Sequence, residues 1–312
     1  MKKLLVSAIA LVAFMTLSAQ DLTTVYNEGA AAYGAKDFAT AAAKFEQVIE
    51  EGLDTEGAES LVETAKKTLP ICYQSLGTRA AGQKNFDEAI ANLTKGAELA
   101  ELYGDTKRQT TINGILAKVY QVQGGTAFNN KDYAAAAEIF AKGYAANPRN
   151  TDMALNLAMS YCESGEYVKG VEVYENIIGM NPEKYADAIA KAQEGMALYT
   201  NNEVAKLQAA NDYDGIIAMA DELLAKNPQS AVAEKVRIQA YLSKKDYAKV
   251  IELGETAAAA QTTPEDASTV YFTLGAAYNA KEMKPQAIAA FSKVTDGPAV
   301  ESAKAALTEL KK

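Results

Sequence analysis

The side chains that could carry chemistry are few in this sequence, because histidine is absent from all 312 residues. Without histidine there is no imidazole base, no Ser–His or Cys–His nucleophile pair and no histidine metal ligand. No serine is followed three residues later by lysine, which removes a second way to activate a serine. Two cysteines are too few for a thiolate zinc site. Gly124-Gly125 lacks the further glycines and the lysine of a phosphate-binding loop, and is explained by helix thinning or close packing.

Carboxylates are the remaining candidates, since acidic residues are plentiful. A hydrolase that uses carboxylates alone would need two of them close together in a sheltered cleft. Asp37, Asp132, Asp212 and Asp246 instead each precede an aromatic residue between two helix-like segments, where an aspartate caps the following helix. We therefore predict that the chain is not an enzyme and has no cofactor and no metal.

The two cysteines, Cys72 and Cys162, are predicted to be free and mostly buried thiols. Both lie in helical patterns, and about four helices separate them along the chain. Packed helices lie roughly 8–10 Å apart, whereas a disulfide needs Cα atoms within about 7 Å.

The first residues have the pattern of a secretory signal peptide. Met1-Lys2-Lys3 precedes an apolar stretch from Leu4 to Leu17, which is followed by Ser18-Ala19-Gln20. The apolar stretch is shorter than the roughly 20 residues that cross a bilayer. We predict cleavage near Ala19 and an exported, periplasmic or secreted protein without membrane insertion after cleavage. An uncleaved membrane anchor is the alternative.

The charge of the chain limits its partners. The formal net charge is -9, and loss of Lys2 and Lys3 with the leader would make it -11. An acidic chain repels phosphate backbones and anionic membrane surfaces, so nucleic acid is excluded as a predicted partner.

The elements that position all these residues repeat along the chain. A polar turn followed by an aromatic residue recurs six times. Apolar or small residues follow each aromatic at three and seven positions, which places them on one face of a helix. The six turns are Lys36-Asp37-Phe38, Lys84-Asn85-Phe86, Lys131-Asp132-Tyr133, Gly165-Glu166-Tyr167, Asn211-Asp212-Tyr213 and Lys245-Asp246-Tyr247.

These features resemble the tetratricopeptide-repeat (TPR) family. The best local match runs from Tyr271 through Leu274-Gly275 to Tyr278 and continues to Ala287 and Phe291. Related matches begin at Tyr73 and at Leu157. The resemblance implies an all-α, right-handed superhelical solenoid of about seven helical hairpins, followed by a C-terminal capping helix. The predicted repeats lie near 22–55, 70–103, 117–150, 151–184, 197–230, 231–264 and 268–300, with the signal peptide at 1–19, the solenoid at 20–312 and the capping helix at 299–311.

Three gaps between successive aromatic residues exceed the 34 residues of one repeat. The inserted segments Thr55–Leu69, Gly104–Leu116 and Glu183–Gly195 are compatible with helix, which predicts three longer first helices. Pro70 is expected to kink or delay one of them. No Ser/Gly/Pro-rich linker divides the chain, which indicates one continuous helical body.

The resemblance also implies a binding surface. In this family the first helices of successive hairpins line a concave groove that contacts a protein or peptide. Some aromatics there, namely Tyr33, Phe128 and Phe272, could instead complete the packing. The matching positions here are Tyr26, Tyr33, Gln74, Gln121, Phe128, Leu155, Met159, Lys235, Gln239, Phe272 and Asn279.

Two functional hypotheses are preferred to the carboxylate hydrolase. The first is a non-enzymatic protein–protein interaction scaffold of the cell envelope, which binds a protein or peptide through apolar anchors and side-chain amides. The second is a carrier of a small molecule or glycan in the same groove, with tyrosines such as Tyr26 stacking on sugar rings. The sequence does not predict the oligomeric state.

Overall fold

The computed structural model describes residues 19–312, and all regular structure among these residues is helical. The predicted all-α fold is confirmed. Residues 1–18 of the predicted signal peptide (1–19) lie outside the described part of the chain, and Ala19 begins the first helix. The fifteen described helices are α1 (Ala19–Gly34), α2 (Phe38–Gly52), α3 (Glu59–Gly82), α4 (Phe86–Leu102), α5 (Thr106–Asn129), α6 (Tyr133–Ala146), α7 (Thr151–Glu163), α8 (Tyr167–Ile178), α9 (Pro182–Ala209), α10 (Tyr213–Lys226), α11 (Ala231–Ser243), α12 (Tyr247–Ala259), α13 (Pro264–Ala280), α14 (Lys284–Ser292) and α15 (Val300–Leu310).

Most helices pair with the next helix in the chain as hairpins, and the turn inside each hairpin repeats one backbone design. In the first hairpin Lys36 has a φ of 61°, and the Asp37 amide donates to the Ala32 carbonyl at 2.9 Å. A left-handed residue followed by such a bond is the Schellman ending of a helix. The same bond closes the other six first helices, from α3 to α13.

The turn residue that ends the first helix also begins the second. The Asp37 carboxylate accepts a hydrogen bond from the Thr40 amide at 3.2 Å, and Asp132 accepts one from the Ala135 amide at 3.3 Å. The predicted capping role is thereby confirmed for these two aspartates, and Asp212 and Asp246 do the same. In the other two turns Asn85 and Glu166 make no side-chain cap. The Asn85 amide instead donates to Glu88, and Glu166 pairs with Lys169.

Three first helices are long, as the inserts predicted. Helices α3 and α5 have 24 residues each, and α9 has 28. Pro70 lies inside α3 but does not delay it, because the helix already begins at Glu59. Non-helical dihedral angles occur instead in α9, at Tyr185.

Glycines on the first helices allow large side chains of the second helices to approach closely. A Cβ atom added to Gly77 would lie 2.5 Å from the Leu93 side chain. A Cβ atom on Gly124 would lie 2.7 Å from the Phe140 ring, which is 1% exposed. Gly275 meets Phe291 in the same way. The Gly124-Gly125 pair of the sequence is therefore explained by close packing of its first member.

The described chain forms two compact units, Met1–Gln123 and Gly124–Lys312, of which the first is described from Ala19 onward. The sequence shows no linker between them because the boundary falls inside α5. The core of the first unit collects around Phe45, Leu69 and Cys72. The second unit contains three apolar clusters, of which one surrounds Ile216 and Leu223 on α10.

The C-terminal helix α15 covers an apolar end of the second unit. Its Ala303 is buried in a cluster with Phe291 and Val294, while Glu301 and Lys304 are exposed and paired with each other. In residues 19–312 we find no helix with the length and apolarity needed to cross a bilayer.

Candidate partner-binding surfaces

The eleven positions predicted to contact a partner all lie on the first helices of hairpins, and none of them is buried. We call these positions, taken within each compact unit by itself, the first-helix face. Gln121 and Asn279 are exposed, and the other nine are partly exposed. The first unit contributes Tyr26 and Tyr33 from α1, Gln74 from α3 and Gln121 from α5, whereas the second unit contributes Phe128 from α5, Leu155 and Met159 from α7, Lys235 and Gln239 from α11, and Phe272 and Asn279 from α13.

The aromatic residues of this face are anchored by rings of the second helices. Tyr33 packs edge-on against Phe38 with ring centroids 5.6 Å apart. Phe128 packs against Tyr133 at 5.0 Å. The ring centroids of Phe272 and Phe291 lie 5.6 Å apart, and those of Tyr26 and Phe45 also lie 5.6 Å apart. These side chains complete the packing of their own hairpins and leave part of each ring accessible.

Two polar residues of this face are already engaged. The Arg108 guanidinium donates to the Gln74 side-chain oxygen at 3.0 Å, within the first unit. In the second unit the Lys235 ammonium on α11 lies 2.5 Å from an Asp266 carboxylate oxygen at the start of α13. Burial would raise the pKa of Asp266, but the hydrogen bond and charge of Lys235 outweigh it and lower that pKa below its ordinary value. Lys235 therefore ties adjacent first helices together.

Leu155 and Met159 form the apolar part of the face on α7. They lie one helical turn apart, and both are partly exposed. The neighbouring first helix α9 adds Leu198, which is 56% exposed and was not among the predicted residues. Its signal in the sequence was weak, because the fifth predicted repeat, 197–230, has Val204 and Leu207 where the family pattern has a small residue and a tyrosine. The structure thus places accessible apolar side chains on two first helices, α7 and α9, that contact each other.

A cleft that the sequence analysis did not predict lies elsewhere in the second unit. It opens between the start of α8, the C-terminal part of α9 and α10, and its volume is about 480 Å³. Three separate segments, 165–169, 203–207 and 215–222, build it, and no single motif encodes it. Its lining residues are Gly165, Glu166, Tyr167, Val168, Lys169, Glu203, Leu207, Gly215, Ala218, Met219 and Glu222.

A polar contact holds the floor of this cleft in place. Tyr167 is 7% exposed, and its hydroxyl lies 2.7 Å from the Thr200 hydroxyl on α9. The Thr200 hydroxyl in turn donates to the Met196 carbonyl at 2.6 Å. Because α8 and α9 are joined by this hydrogen-bonded chain, the wall between them is fixed rather than loosely packed.

Comparison with known protein families identifies part of the chain. Residues 127–193 match the family model described as tetratricopeptide repeat. Residues 127–193 thus form a tetratricopeptide-repeat segment. The matched segment contains the Asp132 and Glu166 turns and helices α6 to α8.

Solved structures resemble this chain only distantly. The TPR2AB domain of yeast Sti1, solved as a complex with pHSP90, has 14% sequence identity, a TM-score of 0.33, and coverage of 95% of this chain and 100% of that one. A tetratricopeptide-repeat protein from Parabacteroides merdae has 15% identity, a TM-score of 0.31, and coverage of 94% and 100%. No curated protein sequence matches the chain.

Both thiols are free, as predicted; Cys72 is buried and Cys162 is partly exposed. Burial raises the pKa of Cys72 to about 11 and, with the nearby charges of Glu163 and Glu203, that of Cys162 to about 12. A thiol reacts as its thiolate, so both are inert near neutral pH. No group of three or more Cys, Asp or Glu side chains in residues 19–312 is arranged to hold a metal ion.

Proposed function

We propose that this TPR chain is a non-enzymatic interaction scaffold of the cell envelope, which holds a protein or peptide against its first-helix face. The observation that supports this proposal is that all eleven predicted positions are accessible on first helices. A TPR fold is itself typical of protein–protein interaction. The envelope location rests on the sequence of residues 1–19.

Accessible apolar side chains on the neighbouring helices α7 and α9 give this proposal its chemistry. Leu155, Met159 and Leu198 offer aliphatic surface with no charge of their own, and large apolar anchors dominate the affinity of protein interfaces. Gln239 and Asn279 add side-chain amides on α11 and α13 that can both donate and accept hydrogen bonds. We therefore expect the partner to contribute aliphatic or aromatic side chains.

Site-specific photo-crosslinking in cells tests this assignment. A photoreactive amino acid at Met159 is expected to trap a specific envelope protein. The same group at Lys142, which is exposed on the second helix α6, serves as the control and should trap far less of it. Equal capture at both positions, or no specific adduct at Met159, would count against the proposal.

The proposed location has its own test. Mass spectrometry of the protein recovered from the envelope fraction should give a chain that begins near Gln20. Recovery of the full chain from the cytoplasm would overturn the envelope assignment without affecting the binding surface. A thermal-shift screen distinguishes a glycan carrier, because stabilisation by oligosaccharides and not by envelope peptides would favour the carrier.

A further inference from the structure

We propose that the cleft between α8, α9 and α10 is a second binding site, whose ligand is a basic amphipathic segment of a partner protein. This site is separate from the first-helix face, since second helices supply most of its lining. The proposal combines three observations: the size of the cleft, its apolar floor and its acidic rim.

The size and floor of the cleft suit apolar side chains. A volume of about 480 Å³ lies within the roughly 300–1,000 Å³ of ordinary ligand pockets. Tyr167 lies at its base, and Val168, Leu207 and Met219 remain partly exposed beside it. Methionine adapts its shape to different apolar partners, which makes Met219 suited to the wall of such a site.

The rim of the cleft is acidic. Glu166, Glu203 and Glu222 line it, whereas Lys169 is the one basic lining residue. Glu166 pairs with Lys169, and Glu203 pairs with Lys206 at 3.1 Å, each within one helical turn. Exposed pairs of this kind contribute about 0–1 kcal/mol, so both glutamates can exchange their lysines for those of a partner.

Glu222 is the strongest rim candidate for such an exchange. It is exposed on α10, and it takes part in none of the salt bridges found among residues 19–312. A basic side chain that reaches Glu222 therefore displaces no existing partner. Electrostatic complementarity of this kind mainly sets specificity and the rate of association.

Charge also selects among the other possible occupants. A second copy of this chain, with a formal charge of -9, would be repelled by the rim, and so would an acidic peptide or a nucleic acid. A purely apolar segment would leave the three glutamates without partners. A segment with leucine-like side chains flanked by lysine or arginine can pack on the apolar floor and pair with the glutamates of the rim.

Fluorescence anisotropy with the full chain tests the proposal. The probe is a labelled 14-residue peptide in which leucines three and four positions apart alternate with lysines, and its control has glutamate at every lysine position. We expect the basic peptide to bind and the acidic peptide to bind at least tenfold more weakly. Equal binding of the two peptides would overturn the acidic-rim assignment.

Two variants of the cleft and one matched control locate the site. Glu222→Lys and Ala218→Arg change exposed residues of α10, so both should fold, and each should weaken binding of the basic peptide at least fivefold. Glu138→Lys makes the same charge change as Glu222→Lys at an exposed position of α6, outside the cleft, and should leave binding within twofold. A loss with Glu138→Lys equal to that with Glu222→Lys would overturn the site.

A variant of the first-helix face separates this inference from the proposed function. Leu155→Arg should weaken crosslinking from the photoreactive group at Met159 and leave binding of the basic peptide unchanged. If Leu155→Arg removed peptide binding while Glu222→Lys did not, the peptide would be bound at the first-helix face, and the second site would be excluded. Circular dichroism of each variant checks that the helices are retained.

Discussion

At the scale of single residues, two buried tyrosines of α8 differ in how their hydroxyl groups are satisfied. The Tyr167 hydroxyl contacts Thr200 at 2.7 Å, whereas the Tyr174 hydroxyl is buried and has no hydrogen-bond partner among the described residues. The Tyr174 ring packs over Gly195 of α9 and stacks on Tyr199. The ring thus stabilises the fold by packing, whereas its hydroxyl has lost its hydrogen bonds to water and has gained none in return.

We expect phenylalanine to affect these two positions in opposite directions. Tyr167→Phe should lower the free energy of unfolding by about 1 kcal/mol, because it removes a buried hydrogen bond. Tyr174→Phe should be neutral or stabilise by up to about 1 kcal/mol, because it removes an uncompensated polar group. Urea unfolding followed by circular dichroism measures both. Equal destabilisation by the two variants would show that the Tyr174 hydroxyl is bonded.

Asp266 gives the second unit a pH dependence whose sign can be derived. Its pKa is lowered below its ordinary value in the folded protein. The stability that it contributes is therefore fully present above its unfolded pKa of about 4 and is lost as the pH falls through the folded value.

We expect Asp266→Asn to reduce this acid sensitivity. Unfolding free energies of the wild type and of the variant should converge as the pH falls from 5 to 3, because protonation removes the Lys235 pair from the wild type. Chemical unfolding at intermediate pH values measures this difference. A gap that stayed constant over this range would contradict the role of Lys235.

At the scale of helices, the two adjacent glycines of α5 are not equivalent. A Cβ atom on Gly124 would meet the buried Phe140 ring, whereas a Cβ atom on Gly125 would meet nothing within 4 Å. Neither has a positive φ, so alanine is compatible with the backbone at both positions. The two glycines therefore differ in one respect, which is the close packing of the Phe140 ring against Gly124.

Alanine substitution should therefore separate the two positions. Gly125→Ala should stabilise the protein by about 0.5–1 kcal/mol, since alanine favours a helix. Gly124→Ala should destabilise it, because overpacking costs about 1–3 kcal/mol and exceeds that gain. Thermal unfolding of the two variants provides the comparison, and each is the control for the other. A stabilised Gly124→Ala would mean that Phe140 is free to move.

The sequence predicted these helices well, because each signal was local. Turn aspartates such as Asp132 indicate where a second helix begins, and the long intervals between turns predicted the lengths of α3, α5 and α9. It did not predict the left-handed backbone of Lys131, since lysine has no special preference for that conformation. Leu198 and the cleft were also missed, because their environment depends on residues from several helices.

At the scale of the whole molecule, the missing histidines make the charge of the protein almost constant near neutral pH. Histidine is the side chain whose ordinary pKa lies between pH 5 and 8. The raised pKa values of Cys72 and Cys162 keep the thiols neutral in this range as well. The excess of 40 acidic over 31 basic residues therefore persists from pH 8 down toward the carboxylate range.

We expect the electrophoretic mobility to change little between pH 8 and pH 6, by the equivalent of about one charge from the terminal amine. Below pH 6 the negative charge should fall steeply, with a solubility minimum near the sequence pI of about 4.9. Capillary electrophoresis and turbidity across this range measure the two effects. A mobility step between pH 6 and pH 8 larger than this would indicate an ionisable group with a strongly shifted pKa.

The repeated turn has a consequence for how such a chain diversifies. Lysine, asparagine, glutamate and glycine all occupy its left-handed position, and the closing backbone bond is the same in each hairpin. Since main-chain atoms define the bend, side chains there are exchangeable without altering how the helices meet. Glu166 and Lys169 at the mouth of the cleft lie in or just after such a turn. Substitutions at these positions can therefore change which partner the cleft binds without changing how the helices pack.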